Sequence, residues 1–256
     1  MPINPVILIY NDVESKTCTG ELSIALKKTF DRKRVAIVQT DRHHFIRNLK
    51  ELNPSIIILP EIKGEESFYN RHINQETRVA IKSHVDNGAM LVTFCAASYW
   101  MGQVIMYSPG QGQTKFRKGE DVFNAVALNA SGPVEGYWRA SNNQENLGGC
   151  HVVPVIVKTK NGCLDSDCWY GNGPEFFSSA GHLPNNIEVL AKYSKFGTIA
   201  AFSAKSGRGS YLVSGPLPHY QREDVKANNL LWRVMTHRMH QQLFEKSHAH
   251  VLKATP

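Results

Sequence analysis

Long apolar runs are missing from this chain, because no stretch approaches the roughly 18 residues that a membrane-spanning helix requires. The residues before the first short apolar run carry no basic cluster of the kind that opens a secretory signal. Cysteine is scarce and odd in number, with five among 256 residues. These absences argue against a membrane span and a disulfide framework, so we expect reduced thiols and a cytoplasmic location.

Metal-binding patterns are missing as well. Eleven histidines occur, but none belongs to an H-E-x-x-H motif. Cys163 and Cys168 have no second ligand pair at the spacing that zinc sites use. We therefore expect no metal ion and no other cofactor.

The positive charge of the chain is not concentrated. The formal net charge is +7, but the basic residues are scattered along the sequence. The one dense run consists of Lys27, Lys28, Arg32, Lys33 and Arg34. That run lies where a helix is predicted to end, and cations are favourable at that end of the helix dipole. We expect no nucleic-acid partner.

The first half of the chain alternates between two patterns, within a composition of 42% apolar and 20% charged residues that is typical of globular proteins. Short apolar runs predict buried strands over residues 5–10, 34–39, 55–59 and 89–94. Amphipathic stretches predict helices over residues 19–30, 42–52 and 76–87. This alternation predicts an α/β fold with a mostly parallel sheet covered by helices on both faces.

The second half has a different character, with strands joined by turns rich in Gly, Asn and Pro. Strands are predicted over residues 122–128, 152–159, 187–193, 199–204 and 210–214, and a last helix over residues 226–246. Long loops are predicted over residues 11–20, 107–121 and 130–149. We predict one domain over residues 1–246, followed by a flexible tail over residues 247–256.

Cys95 is the candidate nucleophile. It ends the fourth apolar run in LVTFCAASYW and is followed at once by small residues, Ala96 and Ala97. This pattern favours a tight turn from a strand into a helix, which would aim N–H groups at the thiol, lower its pKa and stabilise an oxyanion. The alternative is that Cys95 is a small buried apolar residue, the commonest role of a free cysteine.

A cysteine nucleophile needs a base, and His219 follows the predicted strand 210–214 at the same sheet edge. The alternative is an exposed loop histidine, which the spacing alone favours. Rival histidines with no supporting pattern are His43, His44, His72, His151 and His182. The orienting carboxylate is assigned to Glu223 or Asp224, which also suit a helix start. Glu61 follows the third predicted strand, where it would act on a proton, tune the thiol or face water.

Taken together, these residues resemble one family, the amidotransferase-like N-terminal domain of biotin–protein ligases and its stand-alone relatives. The similar segments are YNDV (Tyr10–Val13), GAMLVTFCAASYW (Gly88–Trp100), WYGNGPEF (Trp169–Phe176) and GRGSYLVSGPLPHY (Gly207–Tyr220). The resemblance implies a three-layer, flavodoxin-like fold of the class I glutamine amidotransferase-like type and a site centred on Cys95. It does not imply biotin ligation. The pocket residues that it suggests are Ala96, Ala97, Tyr99, Asn11, Trp169, Tyr170, Gly171, Asn172 and Gly173.

Two positions depart from the family pattern. Relatives carry a glycine pair after the third strand, where this chain has Glu61 and Ile62, and a carboxylate there would oppose a developing oxyanion. In the last turn Leu217 stands where the base is expected, and His219 stands where the acid is expected. Two functions therefore stay open: a hydrolase acting through Cys95 on an amide or ester of a small molecule, or a catalytically silent module that binds a small molecule or a protein. A homo-oligomer also stays open.

Overall fold

The computed structural model describes residues 4–12, 16–62, 69, 73–107, 115–118, 126–134, 136–137, 150–220 and 229–251. The helices are α1 (Lys16–Thr29), α2 (Phe45–Leu52), α3 (Gln75–Asp86), a 3-10 helix (Cys95–Met101) and α4 (Leu230–Val251). The strands of the first half are β1 (Val6–Tyr10), β2 (Ala36–Thr40), β3 (Ile56–Leu59), β4 (Met90–Phe94), β5 (Val104–Tyr107), β6 (Lys115–Lys118) and β7 (Asn129–Gly132). Those of the second half are β8 (His151–Thr159), β9 (Gly162–Tyr170), β10 (Glu175–Phe177), β11 (Ile187–Tyr193), β12 (Ile199–Ser206) and β13 (Gly209–Ser214).

A parallel sheet in the order β2-β1-β3-β4-β13 forms the centre of the fold. Its inner strands are continuous apolar runs because helices cover both of their faces. On one face Ile7 and Ile9 pack in the cluster that includes Leu22 of α1 and Met235 of α4. Alternate residues of the same strands point to the other face, towards α2 and α3. The predicted α/β fold is confirmed.

Beyond β13 the sheet becomes mostly antiparallel, through β12, β10, β7, β5 and β6, with β11, β8 and β9 branching from β12. Five strands were not predicted: β5, β6, β7, β9 and β10. β6 and most of β7 lie inside the loops predicted over residues 107–121 and 130–149, so those two predictions are wrong there. The strand predicted over residues 122–128 is also wrong at residues 126–128, which lie outside any strand, since β7 begins at Asn129. Leu128 is buried, and its carbonyl accepts the Gln103 N–H at 2.7 Å, but the residue does not belong to a strand of the sheet.

The ends of two predicted segments differ from the structure. α1 begins at Lys16, inside the loop predicted over residues 11–20. α4 begins at Leu230 and continues to Val251, past the predicted end at residue 246. His72, Glu223 and Asp224 lie outside the described residues, as do most of the two long loops predicted over residues 107–121 and 130–149.

Candidate functional site

The turn at Cys95 is sharp and strained. Phe94 has an extended backbone, and the 3-10 helix starts at the next residue. Cys95 has a φ of 46°, in the left-handed region that residues with a Cβ rarely adopt. Such conformations cluster at functional sites, where the surrounding structure holds them in place. The small residues that follow Cys95 allow the chain to turn here without a clash.

The Cys95 thiol is enclosed and engaged. The residue is 6% exposed, and its sulfur donates a hydrogen bond to the Gly171 carbonyl at 3.1 Å. Burial raises the pKa of the Cys95 thiol, and the negative charge of Glu61 raises it further. A hydrogen bond from the Ala96 backbone lowers the pKa, but burial and Glu61 outweigh it, so the predicted lowering of the thiol pKa is wrong for this arrangement. In this arrangement the thiol is held in its neutral form.

Glu61 and His219 form a buried pair next to this turn. Glu61 Oε1 lies 3.0 Å from His219 Nε2, and the two side chains are 3% and 0% exposed. Burial raises the pKa of the Glu61 carboxyl, but the charge and hydrogen bond of His219 outweigh this, so the pKa lies below its usual value. The His219 ring also packs 4.7 Å from the Phe94 ring, centroid to centroid. The side chain that orients His219 is therefore Glu61, a partner that the sequence analysis did not identify.

No hydrogen bond between described residues joins Cys95 to His219. The second ring nitrogen of His219, Nδ1, is buried and has no partner within the described part of the chain. Among the rival histidines that the structure describes, His44 pairs with Asp41 at the surface, and His182 faces the Ala180 carbonyl. The His151 ring packs 5.7 Å from the Tyr170 ring, centroid to centroid. His219 thus stands out among the predicted bases through its burial beside Phe94, the residue that precedes Cys95.

The segment Gly171–Pro174, called here the 171–174 segment, covers Cys95. Its four successive carbonyls each accept a hydrogen bond from a different side chain. The donors are Cys95 to Gly171 (3.1 Å), Tyr99 to Asn172 (3.0 Å), Tyr170 to Gly173 (2.9 Å) and Tyr193 to Pro174 (3.0 Å). The segment is the loop between β9 and β10, and it lies directly on the thiol.

Glycines let the 171–174 segment approach its neighbours closely. A Cβ on Gly173 would overlap the Gly215 carbonyl and lie 3.2 Å from the Cys95 Cα. A Cβ on Gly171 would lie 2.9 Å from the Cys150 sulfur. Only glycine fits at Gly173, because the backbone on the other side of the contact cannot move aside like a flexible side chain.

The remaining predicted pocket residues are partly brought together. The Trp169 carbonyl accepts the Leu217 N–H at 2.6 Å, which ties the strand before the 171–174 segment to the turn that carries His219. Ala97 is fully buried in the 3-10 helix. Asn11 instead donates to Gln39 at the end of β2, at 2.9 Å. Tyr193, which the sequence analysis did not single out, contacts the 171–174 segment; its place in a regular strand gave no signal of this.

No group of three or more metal-ligating side chains occurs among the described residues. Within the same part of the chain, no helix is long and apolar enough to cross a membrane.

The central parallel sheet, covered by helices on both faces, gives the chain a three-layer, flavodoxin-like α/β fold with Cys95 at the turn after β4. The solved structures with a similar fold include three proteins. A Thermoplasma acidophilum protein, provisionally described as part of a GMP synthase, has a TM-score of 0.50 and 10% identity, over 93% of this chain and 98% of that one. A ThuA-like protein of Bacteroides uniformis, also provisionally described, has a TM-score of 0.52 and 15% identity, with 90% of each chain covered.

The third is the cytoplasmic protein STM3548 of Salmonella typhimurium, with a TM-score of 0.50 and 13% identity over 92% of this chain and 98% of that one. Identities this low show a common fold alone. No curated protein matches the chain in sequence. The family model described as biotin-protein ligase, N terminal, matches residues 6–254, and the chain belongs to this family.

Proposed function

We propose that this protein is a cysteine-dependent hydrolase that acts on an amide or ester of a small molecule through Cys95. The observation that carries the proposal is the φ of 46° at Cys95, at the junction of β4 and the 3-10 helix. A strained, non-glycine residue at this place presents a nucleophile beside the N–H groups of a helix start. Ala96 and Ala97 would supply N–H donors to the oxyanion.

The buried pair behind Cys95 supports the same chemistry. His219 would take the thiol proton, and the thiolate would attack the substrate carbonyl to form an acyl–sulfur bond. The leaving amine or alcohol would receive that proton from His219, and water would then hydrolyse the thioester and restore the thiol. Glu61 would hold the imidazole and stabilise its protonated form. For these steps the thiol must leave the Gly171 carbonyl and turn towards His219.

The test compares Cys95→Ala with Cys163→Ser, which removes an exposed thiol on β9 and serves as the matched control. Both variants and the parent chain are incubated with a panel of primary amides and activated esters. We expect hydrolysis and an acyl adduct on the Cys95 peptide in the parent and in Cys163→Ser, and neither in Cys95→Ala. Turnover that persists in Cys95→Ala would disprove the proposal.

The second candidate is a binding module, favoured by the same thiol's hydrogen bond to Gly171 and its raised pKa. A neutral, enclosed thiol beside a carboxylate is a poor nucleophile. This candidate predicts that a ligand from a small-molecule library raises the Tm of Cys95→Ser as much as that of the parent, with no turnover by either. A ligand whose effect disappears in Cys95→Ser would contradict it.

A further inference from the structure

A row of four side-chain hydrogen bonds holds the 171–174 segment in place over Cys95. Each of its four carbonyls accepts a hydrogen bond from a side chain outside the segment. Two donors lie on the 3-10 helix, one is Tyr170 at the end of β9, directly before the segment, and one lies on β11. Backbone groups of a loop usually bond to backbone or water, and a side-chain donor for every carbonyl is uncommon. The arrangement therefore fixes the position of each carbonyl, including the one above the Cys95 sulfur.

The three tyrosines are suited to this task. Tyr99 is 8% exposed, and Tyr170 and Tyr193 are fully buried. Burial, as the largest cause, raises the pKa of all three hydroxyls, so each remains a neutral donor at any physiological pH. Their bonds to the 171–174 segment therefore do not switch with pH, unlike a bond made by a histidine or a carboxylate.

We propose that Tyr99, Tyr170 and Tyr193 are positioning residues that hold the 171–174 segment as a cap on Cys95, and that this cap must open before the thiol reacts. The inference rests on the proposed role of Cys95 as the reactive centre. The closed cap stabilises the thiol as a donor to Gly171 and excludes water. A substrate carbonyl reaches the sulfur only after the Gly171 carbonyl has moved away.

Releasing the cap changes the ionisation of Cys95 in a defined direction. A hydrogen bond donated by the neutral thiol favours the neutral form, so losing it lowers the thiol pKa, and entry of water lowers it further. The titratable groups that influence the ionisation of Cys95 are Glu61, Cys18 and Cys150. The groups whose ionisation Cys95 influences are Tyr69, Tyr99, Tyr170 and Tyr193. Of all these groups, Glu61 opposes ionisation in both the closed and the open state, so it does not change the direction.

The test is the rate of Cys95 alkylation by iodoacetamide as a function of pH, read by mass spectrometry of the Cys95 peptide. The variants are Tyr99→Phe and Tyr193→Phe, since each removes one hydroxyl that bonds to the segment. Tyr170→Phe is less selective, because the Tyr170 hydroxyl also accepts the Val134 N–H at 2.7 Å. The matched control is Tyr211→Phe, a fully buried tyrosine on β13 whose hydroxyl interacts with Ser206 instead.

We expect alkylation to be about fivefold to tenfold faster in Tyr99→Phe and Tyr193→Phe, the change in an opening equilibrium that the loss of one buried hydrogen bond produces. The midpoint of the pH profile should move down, and hydrogen exchange at the amides of residues 171–173 should accelerate. Tyr211→Phe should match the parent in all three. A general loss of stability would not lower the midpoint of the pH profile in Tyr99→Phe and Tyr193→Phe while leaving it unchanged in Tyr211→Phe.

Two results would overturn the proposal. One is an unchanged alkylation profile in both Tyr99→Phe and Tyr193→Phe. The other is an equal acceleration in Tyr211→Phe. Alkylation does not require turnover, so a chain that hydrolyses nothing still answers the question, and failure of the proposed hydrolase is distinguishable from failure of the cap. If one variant does not fold, the other provides the same readout.

Discussion

The buried pair of Glu61 and His219 leads to the sharpest stability prediction. Replacing His219 with Ala leaves the Glu61 carboxylate, 2% exposed as a residue, without its partner. Removing one member of a buried pair costs about 3–5 kcal/mol, because the remaining charge stays out of water. We expect His219→Ala to lower the free energy of unfolding by this amount at pH 7, in urea titrations followed by circular dichroism.

A double-mutant cycle separates this charge effect from packing, since the His219 ring also contacts Phe94 and Trp232. Glu61→Gln removes the charge while keeping the shape of the side chain. In the variant that carries both Glu61→Gln and His219→Ala, the packing of the ring is still lost, but no carboxylate is left buried. The loss in free energy of unfolding should therefore be smaller than the sum of the two single losses by about 2 kcal/mol. Costs that add to within about 0.5 kcal/mol would refute an energetic coupling between the two residues.

Four further substitutions have definite expected outcomes. Gly173→Ala should lower the free energy of unfolding by about 3 kcal/mol or more in urea titrations, because its methyl group would overlap the Gly215 carbonyl. Gly20→Ala, its control on α1 with open space around the new Cβ, should instead raise stability by about 0.5–1 kcal/mol. Asn74→Ala should cost about 1 kcal/mol in the same assay, because the Asn74 side chain caps α3; no change would show that the cap contributes nothing. Folding lowers the pKa of Glu61, so the ionised carboxyl stabilises the folded state fully above the unfolded pKa of about 4.3. This stabilisation is lost as the pH falls through the pKa of the folded state. Thermal melts of Glu61→Gln at a series of pH values should lack that part of the acid dependence.

The parallel part of the fold could be predicted because its signal is local. β1, β3 and β4 are unbroken apolar runs, and such runs between amphipathic helices have few other interpretations. β9 was missed because its exposed face carries Asp165 and Asp167, so that it has the polarity of a loop. Its polar residues are tolerated because that side of the strand faces solvent.

The candidate site was less accessible from sequence. The turn at Cys95 is encoded by the small residues that follow it, and it was predicted. The pairing of Glu61 with His219 joins residues 158 positions apart, and no local pattern specifies such a contact. The role of Tyr193 is hidden for a similar reason, since a buried tyrosine in a strand gives no sign of where its hydroxyl points.

The distance along the chain between Cys95 and its cap has a consequence for synthesis of the protein. The Cys95 thiol and the Gly171 carbonyl are separated by 76 residues, so a ribosome adding about 5–20 residues per second makes the cap about 4–15 s after the cysteine. During that interval the nascent chain carries the thiol without its cover. β13, the central strand beside β4, and His219 are made later still. Oxidants and alkylating agents therefore have their easiest access to Cys95 while the chain is still growing.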